Sequence, residues 1–306
     1  MDALSEVLRL ARLNANVSRD ATAHEPWCVS VPGSEAVMRA HLVIDGECEL
    51  RTASQEATLR SGDFAFLPRG DAHLIGSAPD APAISFSSLV RSSLVGDLPP
   101  VRVGGDGPAT RWISFSLSCE RHLARTLVEA LPRVVVADLS GAPAIEWLTD
   151  ALGLVLSSSD APCLGAAATR GKLAEIVFVE ALARFIQSTP SGTGWLAGLN
   201  DRYVGRALAL VHGRPGESWT VAKLGRQVGL SRSALAERFV LVMGEPIFAF
   251  LTRWRLQLAA EYLLTTTRPI ASIAHTAGYE SANAFSHAFK RAFGKPPSIW
   301  RRNRRK

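Results

Sequence analysis

Hydrophobic positions fall into two rhythms along this chain. Between residues 25 and 118 the apolar runs are short and punctuated by Gly, Pro and Asp. They predict strands over Trp27–Val31, Met38–Ile44, Cys48–Thr52, Phe64–Leu67 and Ile84–Leu89, with tight turns at Asp45-Gly46 and Ser61-Gly62-Asp63. Elsewhere the spacing is helical. Leu4, Val7, Leu8 and Ala11 form a stripe within Met1–Val17, and Leu123, Leu127 and Leu131 a second. Ile145, Leu148, Leu152 and Val155 form a third, and Leu173, Ile176, Val177, Val179 and Leu182 a fourth. After 198 every apolar stripe has helical spacing. The expected fold class is therefore α+β multidomain: a strand-rich N-terminal part with a helical annex, then an all-α domain.

The all-α part repeats itself. Val221-Ala222-x-Leu224-Gly225-x-x-Val228-Gly229 recurs, shifted by 49, as Ile270-Ala271-x-Ile273-Ala274-x-x-Ala277-Gly278. At a shift of 50, Ser231, Ala234, Leu235, Phe239, Gly244 and Pro246 recur as Ser281, Ala284, Phe285, Phe289, Gly294 and Pro296. Each copy reads as a short helix, a turn at Gly, a second helix opened by a Ser cap, and a stop at Gly-x-Pro. Two helices joined by a short Gly-bearing turn make a helix-turn-helix, whose second helix fits a DNA major groove.

Pro246–Thr267 joins the copies without an internal Pro or Gly. A helix of that length spans about 33 Å, close to the roughly 34 Å between successive major-groove faces. Charge is segregated in the same sense. Residues 199–306 carry 18 Lys and Arg against 6 Asp and Glu, whereas the whole chain carries 34 against 28. A basic half beside an acidic half is the electrostatic footprint of polyanion binding.

Residues 199–302 resemble the DNA-binding domain of AraC/XylS-type bacterial transcription regulators. The resemblance rests on Trp219-Thr220-Val221-x-x-Leu224-Gly225 and Gly229-Leu230-Ser231-Arg232-Ser233-x-Leu235-x-x-x-Phe239. It rests above all on Gly278-Tyr279-Glu280-Ser281-x-x-x-Phe285-Ser286-x-Ala288-Phe289-Lys290-Arg291-x-Phe293-Gly294-x-x-Pro297-x-x-Trp300-Arg301. Trp300 stands where the family usually has Tyr. The resemblance implies base contacts from Ser233, Ala236 and Glu237, with Arg232 and Arg238 nearby, and from Ala282, Asn283, Ser286 and His287. Phosphate contacts are expected from Ser231, Ser281, Lys290, Arg291, Arg301, Arg302 and the basic C-terminal tail. Asn pairs with adenine, Arg with guanine, and Glu with the cytosine amino group; Ala can only touch a thymine methyl.

In the strand-rich half, Gly62-Asp63-Phe64-Ala65-Phe66-Leu67-Pro68-Arg69-Gly70-Asp71-Ala72-His73 is similar to the second signature of cupins, small β-barrels in which that His often points inward as a metal ligand. The first cupin signature is not intact: Arg39 precedes His41, and no His-x-His is present. His41, His73 and Cys119 are candidates for an effector pocket or a metal site, since imidazole and thiolate suit zinc or iron. Cys28 and Cys119 are candidates for redox sensing, Cys119 because Arg121 and His122 follow it. Interior histidines that only pack or line a small-molecule pocket are the plainer alternative.

The expected organisation is an effector and dimerisation domain over 1–190 (barrel about 25–118, annex about 120–190), a linker over 191–198, and the reader over 199–306. Such a protein is a sequence-specific transcription regulator that binds double-stranded promoter DNA as a homodimer and works with RNA polymerase, activation being the family's commoner outcome. Its signal is a small molecule or oxidant sensed in the barrel, and no cofactor is required. The competing reading is a metal-dependent cupin enzyme fused to a DNA reader. No signal-peptide layout or apolar membrane span is legible, which places the protein in the bacterial cytoplasm, at the nucleoid through its DNA.

Overall fold

The computed structural model describes residues 2–78, 81–91, 101–119, 127–141, 147, 150–151, 165–189 and 192–302. Most of the helix expected over 143–156, the start of the one over 120–131, Arg121, His122, and the tail 303–306 lie outside the described residues. The contacts divide the chain into two compact units. One comprises Leu13–Cys119 and Leu131–Thr189; the other comprises Pro190–Lys306 with Met1–Arg12 and Glu120–Ala130.

The first unit is built from two sheets. Its strands are β1 (Asn14–His24), β2 (Cys28–Val31), β3 (Met38–Asp45), β4 (Glu47–Thr52), β5 (Glu56–Arg60), β6 (Asp63–Leu67), β7 (His73–Gly76), β8 (Ile84–Ser85), β9 (Val101–Gly104), β10 (Ala109–Ser118) and β11 (Val135–Asp138). One sheet runs β11-β6-β3-β10-β1-β9 and the other β5-β4-β7-β2-β8. Between them Trp27 stacks on Trp112, centroids 4.5 Å apart and 7° from parallel, within a core that includes Val29, Leu50, Leu59, Leu67 and Ile75. The long helix Ala166–Ser188 covers the six-stranded sheet through Phe178, whose ring meets Phe66 at 4.8 Å and Phe64 at 6.5 Å. Burying a side chain of that size is worth about 1.5–3 kcal/mol.

Two expectations need correction here. The strand predicted over Ile84–Leu89 is only Ile84–Ser85; Phe86–Arg91 is a helix. The helical stripe of Met1–Val17 stops at Leu10, and Asn14 opens β1, an eleven-residue strand between β10 and β9. Strand β1 is rich in Asn, Asp and Ala, which are poor strand formers. A register shift between Val17 and Arg19 also breaks its alternation. That shift leaves both Arg19 and Asp20 buried, and Asp20 is held by a two-pronged pair with Arg111 at 2.9 and 3.2 Å.

The second unit is helical: Trp195–Asn200, Arg202–Gly213, Val221–Val228, Arg232–Met243, Ile247–Thr265, Ile270–Thr276, Ala282–Phe293 and Pro297–Arg302. The first helix-turn-helix is Val221–Val228 with Arg232–Met243, the second Ile270–Thr276 with Ala282–Phe293. In the first, Gly225 lets the helices close up: a Cβ there would lie 2.7 Å from the Leu230 carbonyl. The helix between the copies has 19 residues, about 28 Å at 1.5 Å per residue. Leu235 and Phe239 are fully buried, and so are Phe285 and Phe289 in the second copy. Trp300 packs on Phe289 and Phe293 at 5.7 and 5.0 Å, so the indole supplies the apolar contact expected of a tyrosine ring.

The N-terminal helix Ala3–Leu10 makes its contacts in this helical unit, against Arg202–Gly213. Ala3, Val7, Leu8 and Ala11 are buried, and His212 donates from Nδ1 to the Ala3 carbonyl at 3.4 Å. The His212 ring lies against Trp254 and Phe250, at 4.4 and 5.5 Å.

Candidate nucleic-acid interface and the interior of the barrel

Each recognition helix is started by a serine. The Ser231 hydroxyl accepts from the Ala234 amide at 3.2 Å, and Ser281 does the same for Ala284 at 3.1 Å. Both caps are exposed, so the remaining amides and the positive end of each helix dipole are open to an anion. Ser231 and Ser281 stand where phosphate contacts were expected, and each cap uses an oxygen lone pair and not the hydroxyl proton that a phosphate oxygen would accept.

Leu235 and Phe239 turn one side of Arg232–Met243 inward, which leaves Ser233, Glu237, Val240 and Leu241 exposed and Ala236 at the margin. On Ala282–Phe293 the corresponding positions are Asn283, His287, Lys290 and Arg291, with Ser286 at the margin. The spacing i, i+3, i+4, i+7 is the one by which a helix-turn-helix recognition helix reaches base edges. Asn283, Ser286, His287 and Lys290 satisfy it. Ser286 already donates its hydroxyl proton to the Ala282 carbonyl at 2.8 Å, so toward a base it is an acceptor. Ala282, also named from the resemblance, is half-buried at the first turn.

Three expected contacts are otherwise engaged or displaced. Arg238 holds Asp201 through Nε at 2.9 and 3.1 Å and through Nη2 at 2.7 Å, and lies 5.2 Å over the Tyr203 ring. Asp201 is itself the cap of Arg202–Gly213, accepting from the Tyr203 and Val204 amides. Arg238 therefore braces two helices and is not a base reader in this arrangement. Arg301 donates to the Arg268 carbonyl at 2.5 Å. Arg232 is exposed but lies off the outward row. Lys290, Arg291 and Arg302 remain exposed on the second copy and its following helix.

In the barrel, β3 and β7 carry His41 and His73 to one point, with Nε2 to Nε2 at 2.7 Å. Hydrogen-bond geometry fixes every proton in the chain that runs through them. The Asp71 carbonyl, 2.9 Å from His73 Nδ1, can only accept, so Nδ1 of His73 carries the proton. Nε2 of neutral His73 is then bare and accepts from Nε2–H of His41. Nδ1 of His41 is bare in turn and accepts from the Ser114 hydroxyl at 2.9 Å. The Ser114 oxygen finally accepts from the Trp112 indole N–H at 3.1 Å. Every link is satisfied with both rings neutral. Burial, reinforced by His73 and Arg39, holds the His41 pKa well below the ordinary imidazole value, and burial lowers that of His73 to about 4. Ser114 and Trp112 were not anticipated as partners; their place opposite His41 is fixed by the register of β10 on β3.

Cys119 does not join this pair. Ser114 is the residue paired with His41, and the strand continues to Ser118, roughly 14 Å further at 3.4 Å per residue. Among the described residues no group of three His, Cys, Asp or Glu is placed to hold a metal ion. Cys28 is buried and its thiol pKa is raised by desolvation against the partial offset of Arg51. Cys48 is pushed to about 12 by burial and by Glu47, Asp63 and Glu49. Both thiols are thus held protonated, the form that reacts slowly. Cys119 is half-buried. Cys163 lies outside the described residues.

A two-sheet barrel followed by paired helix-turn-helices defines a two-domain, DNA-binding transcription regulator, and comparison with known proteins agrees. Residues 2–187 match the family model described as a cupin, and residues 224–303 match one described as a helix-turn-helix domain. The chain is 31% identical to an AraC-like transcription regulator of Streptomyces lividans, over 99% of each chain. It is 28% identical to the regulator AlkR of Acinetobacter baylyi, over 98% of this chain and 99% of that one. With RclR of Escherichia coli, an RCS-specific HTH-type transcriptional activator, it shares 26% over 98% of this chain and 97% of that one. The chain belongs to the AraC-like family of transcription regulators and binds double-stranded DNA. Among the described residues no helix is long and apolar enough to cross a membrane.

Proposed function

We propose that this protein is a cytoplasmic, sequence-specific regulator that binds paired promoter sites as a homodimer, activates RNA polymerase there, and takes its signal from a small molecule sensed in the barrel unit. The observation that carries the reading is the internal repeat. It produces two serine-capped helices with exposed outward rows, in the last 108 of 306 residues, which hold 18 of the 34 Lys and Arg but only 6 of the 28 Asp and Glu. The name of RclR supports activation. Exposed Ile176 and Val179 on Ala166–Ser188, at 49% and 39% exposure, support a self-association face. Burial holds the Cys28 thiol protonated, which counts against oxidation at that cysteine. The histidine chain favours a binding role over an enzymatic one, since both imidazoles already spend their ring nitrogens on protein partners; this reading requires no metal.

Selection from a random duplex library with the full-length protein, followed by footprinting, tests it. The expected result is enrichment of one sequence whose footprint has two segments per reader, about one helical turn apart. No enrichment, or a single short segment, would overturn it.

A further inference from the structure

The two recognition helices come from one repeat, yet their outward rows are chemically opposite. At a shift of 50, Ser233 corresponds to Asn283, Ala236 to Ser286, Glu237 to His287, Val240 to Lys290 and Leu241 to Arg291. Every member of the second row is polar or basic. Three members of the first are aliphatic and one is acidic. Val240 and Leu241 are 45% and 74% exposed, on a helix whose inward side is already filled by Leu235, Phe239 and Met243. They are therefore not core residues facing outward by accident of register. They occupy the positions from which the second copy presents two cations.

Resting on the reading that both helices enter the major groove, we infer that the first recognition helix reads pyrimidines by shape and methyl contact, with Val240 as its principal specificity residue. Val240 stands seven residues after Ser233, the fourth position of the base-reaching spacing. Its side chain has no hydrogen-bonding atom. The one feature of a base pair in the major groove that an aliphatic side chain recognises is the C5 methyl of thymine. Ala236, at the margin of the same row, would adjoin a second methyl. Glu237 between them accepts from the exocyclic amine of cytosine and is repelled by phosphate, which confines it to base edges. Arg238, the nearest cation on this helix, is tied to Asp201. The segment under the first helix is thus expected to carry thymines beside a cytosine on one strand. The segment under the second carries the adenine preference of Asn283 and most of the phosphate attraction.

The test uses the full-length protein and the duplex recovered by selection. Each thymine is replaced singly by deoxyuridine, which removes the methyl and leaves the hydrogen-bonding edge unchanged. A methyl buried on binding is worth about fourfold in affinity. The expected result is a loss of about that size at one or two thymines of the first segment. Val240→Ala should abolish the thymine–uracil difference there and leave the second segment's preferences intact. Val240→Lys, which installs the side chain type of the second copy, should abolish it too and steepen the salt dependence by about one phosphate contact. Indifference of every first-segment thymine to uracil in the wild-type protein would overturn the inference while leaving the two-helix reading standing. Failure to enrich any sequence would overturn both.

Discussion

The imidazoles of His41 and His73 meet edge to edge, Nε2 to Nε2 at 2.7 Å, with the proton on His41. Burial of both rings, with Arg39 nearby, disfavours a charge on either, so the pair is neutral at neutral pH. Both folded pKa values lie below the unfolded value of 6.5. The unfolded chain therefore binds more protons than the folded one as pH falls through 6.5. The stabilisation is complete above that pH and is lost on acidification toward about 4, at about 1.4 kcal/mol per pH unit for each histidine. Urea unfolding of the full chain, followed by Trp27 and Trp112 emission, should show the barrel transition moving to lower urea between pH 7.5 and 5.5. An unchanged midpoint would sink the assignment.

Ser114 is the hinge of that chain, accepting from Trp112 and donating to His41. Ser114→Ala strands two buried polar groups at once and should cost roughly 2–4 kcal/mol. Ser116→Ala, which removes only a half-buried contact with Ser18, should cost about 1 kcal/mol or less. Equal losses in chemical denaturation would show that the chain does not bear on stability as described.

Asn283 and His287 lie on the outward row of the second recognition helix, and Lys290 lies one turn beyond. Asn283→Ala and His287→Ala should each weaken specific binding by about 1–3 kcal/mol and hardly change binding to random DNA. Lys290→Ala should weaken binding to random DNA as well, because its charge also attracts phosphate, and lower the slope of log affinity against log salt by about one. Salt titrations on selected and random duplexes distinguish these; a parallel loss for Asn283→Ala would contradict base reading.

Arg238, although it sits on the first recognition helix, should behave as a brace. Its pair with Asp201 is part-exposed, at 44% and 11% of the two side chains, so Arg238→Ala should change stability little. The selected sequence should be the same as for the unaltered protein. A changed base preference at any position would return Arg238 to the groove.

The repeat made the reader legible in unusual detail. Gly, Ser and Pro at fixed offsets mark the ends of the helices in both copies, because caps and stops are local chemistry that needs no tertiary context. The outward rows follow from helical spacing once Leu235 and Phe285 are recognised as inward. The pairing of Arg238 with Asp201 was not legible, because the spacing says where a side chain starts, not which carboxylate from another helix captures it. In the barrel, β1 was invisible: its Asn, Asp and Ala content and the shift at Val17/Arg19 remove both the propensity and the alternation on which strand reading depends. That His41 and His73 belong to one interior site was legible as a candidate pairing. The exclusion of Cys119, and the closure by Ser114 and Trp112, required the register of β10, which no local pattern encodes.

Helix Ala3–Leu10 is made well before the surface on which it packs. Its partner, Arg202–Gly213, begins about 190 residues later, so at 5–20 residues per second the ribosome takes roughly 10–40 s to supply it. Throughout that interval Ala3, Val7 and Leu8 have no surface to cover. Docking of this helix on the DNA-reading unit is thus a late step of synthesis, open only once Arg202–Gly213 has been made.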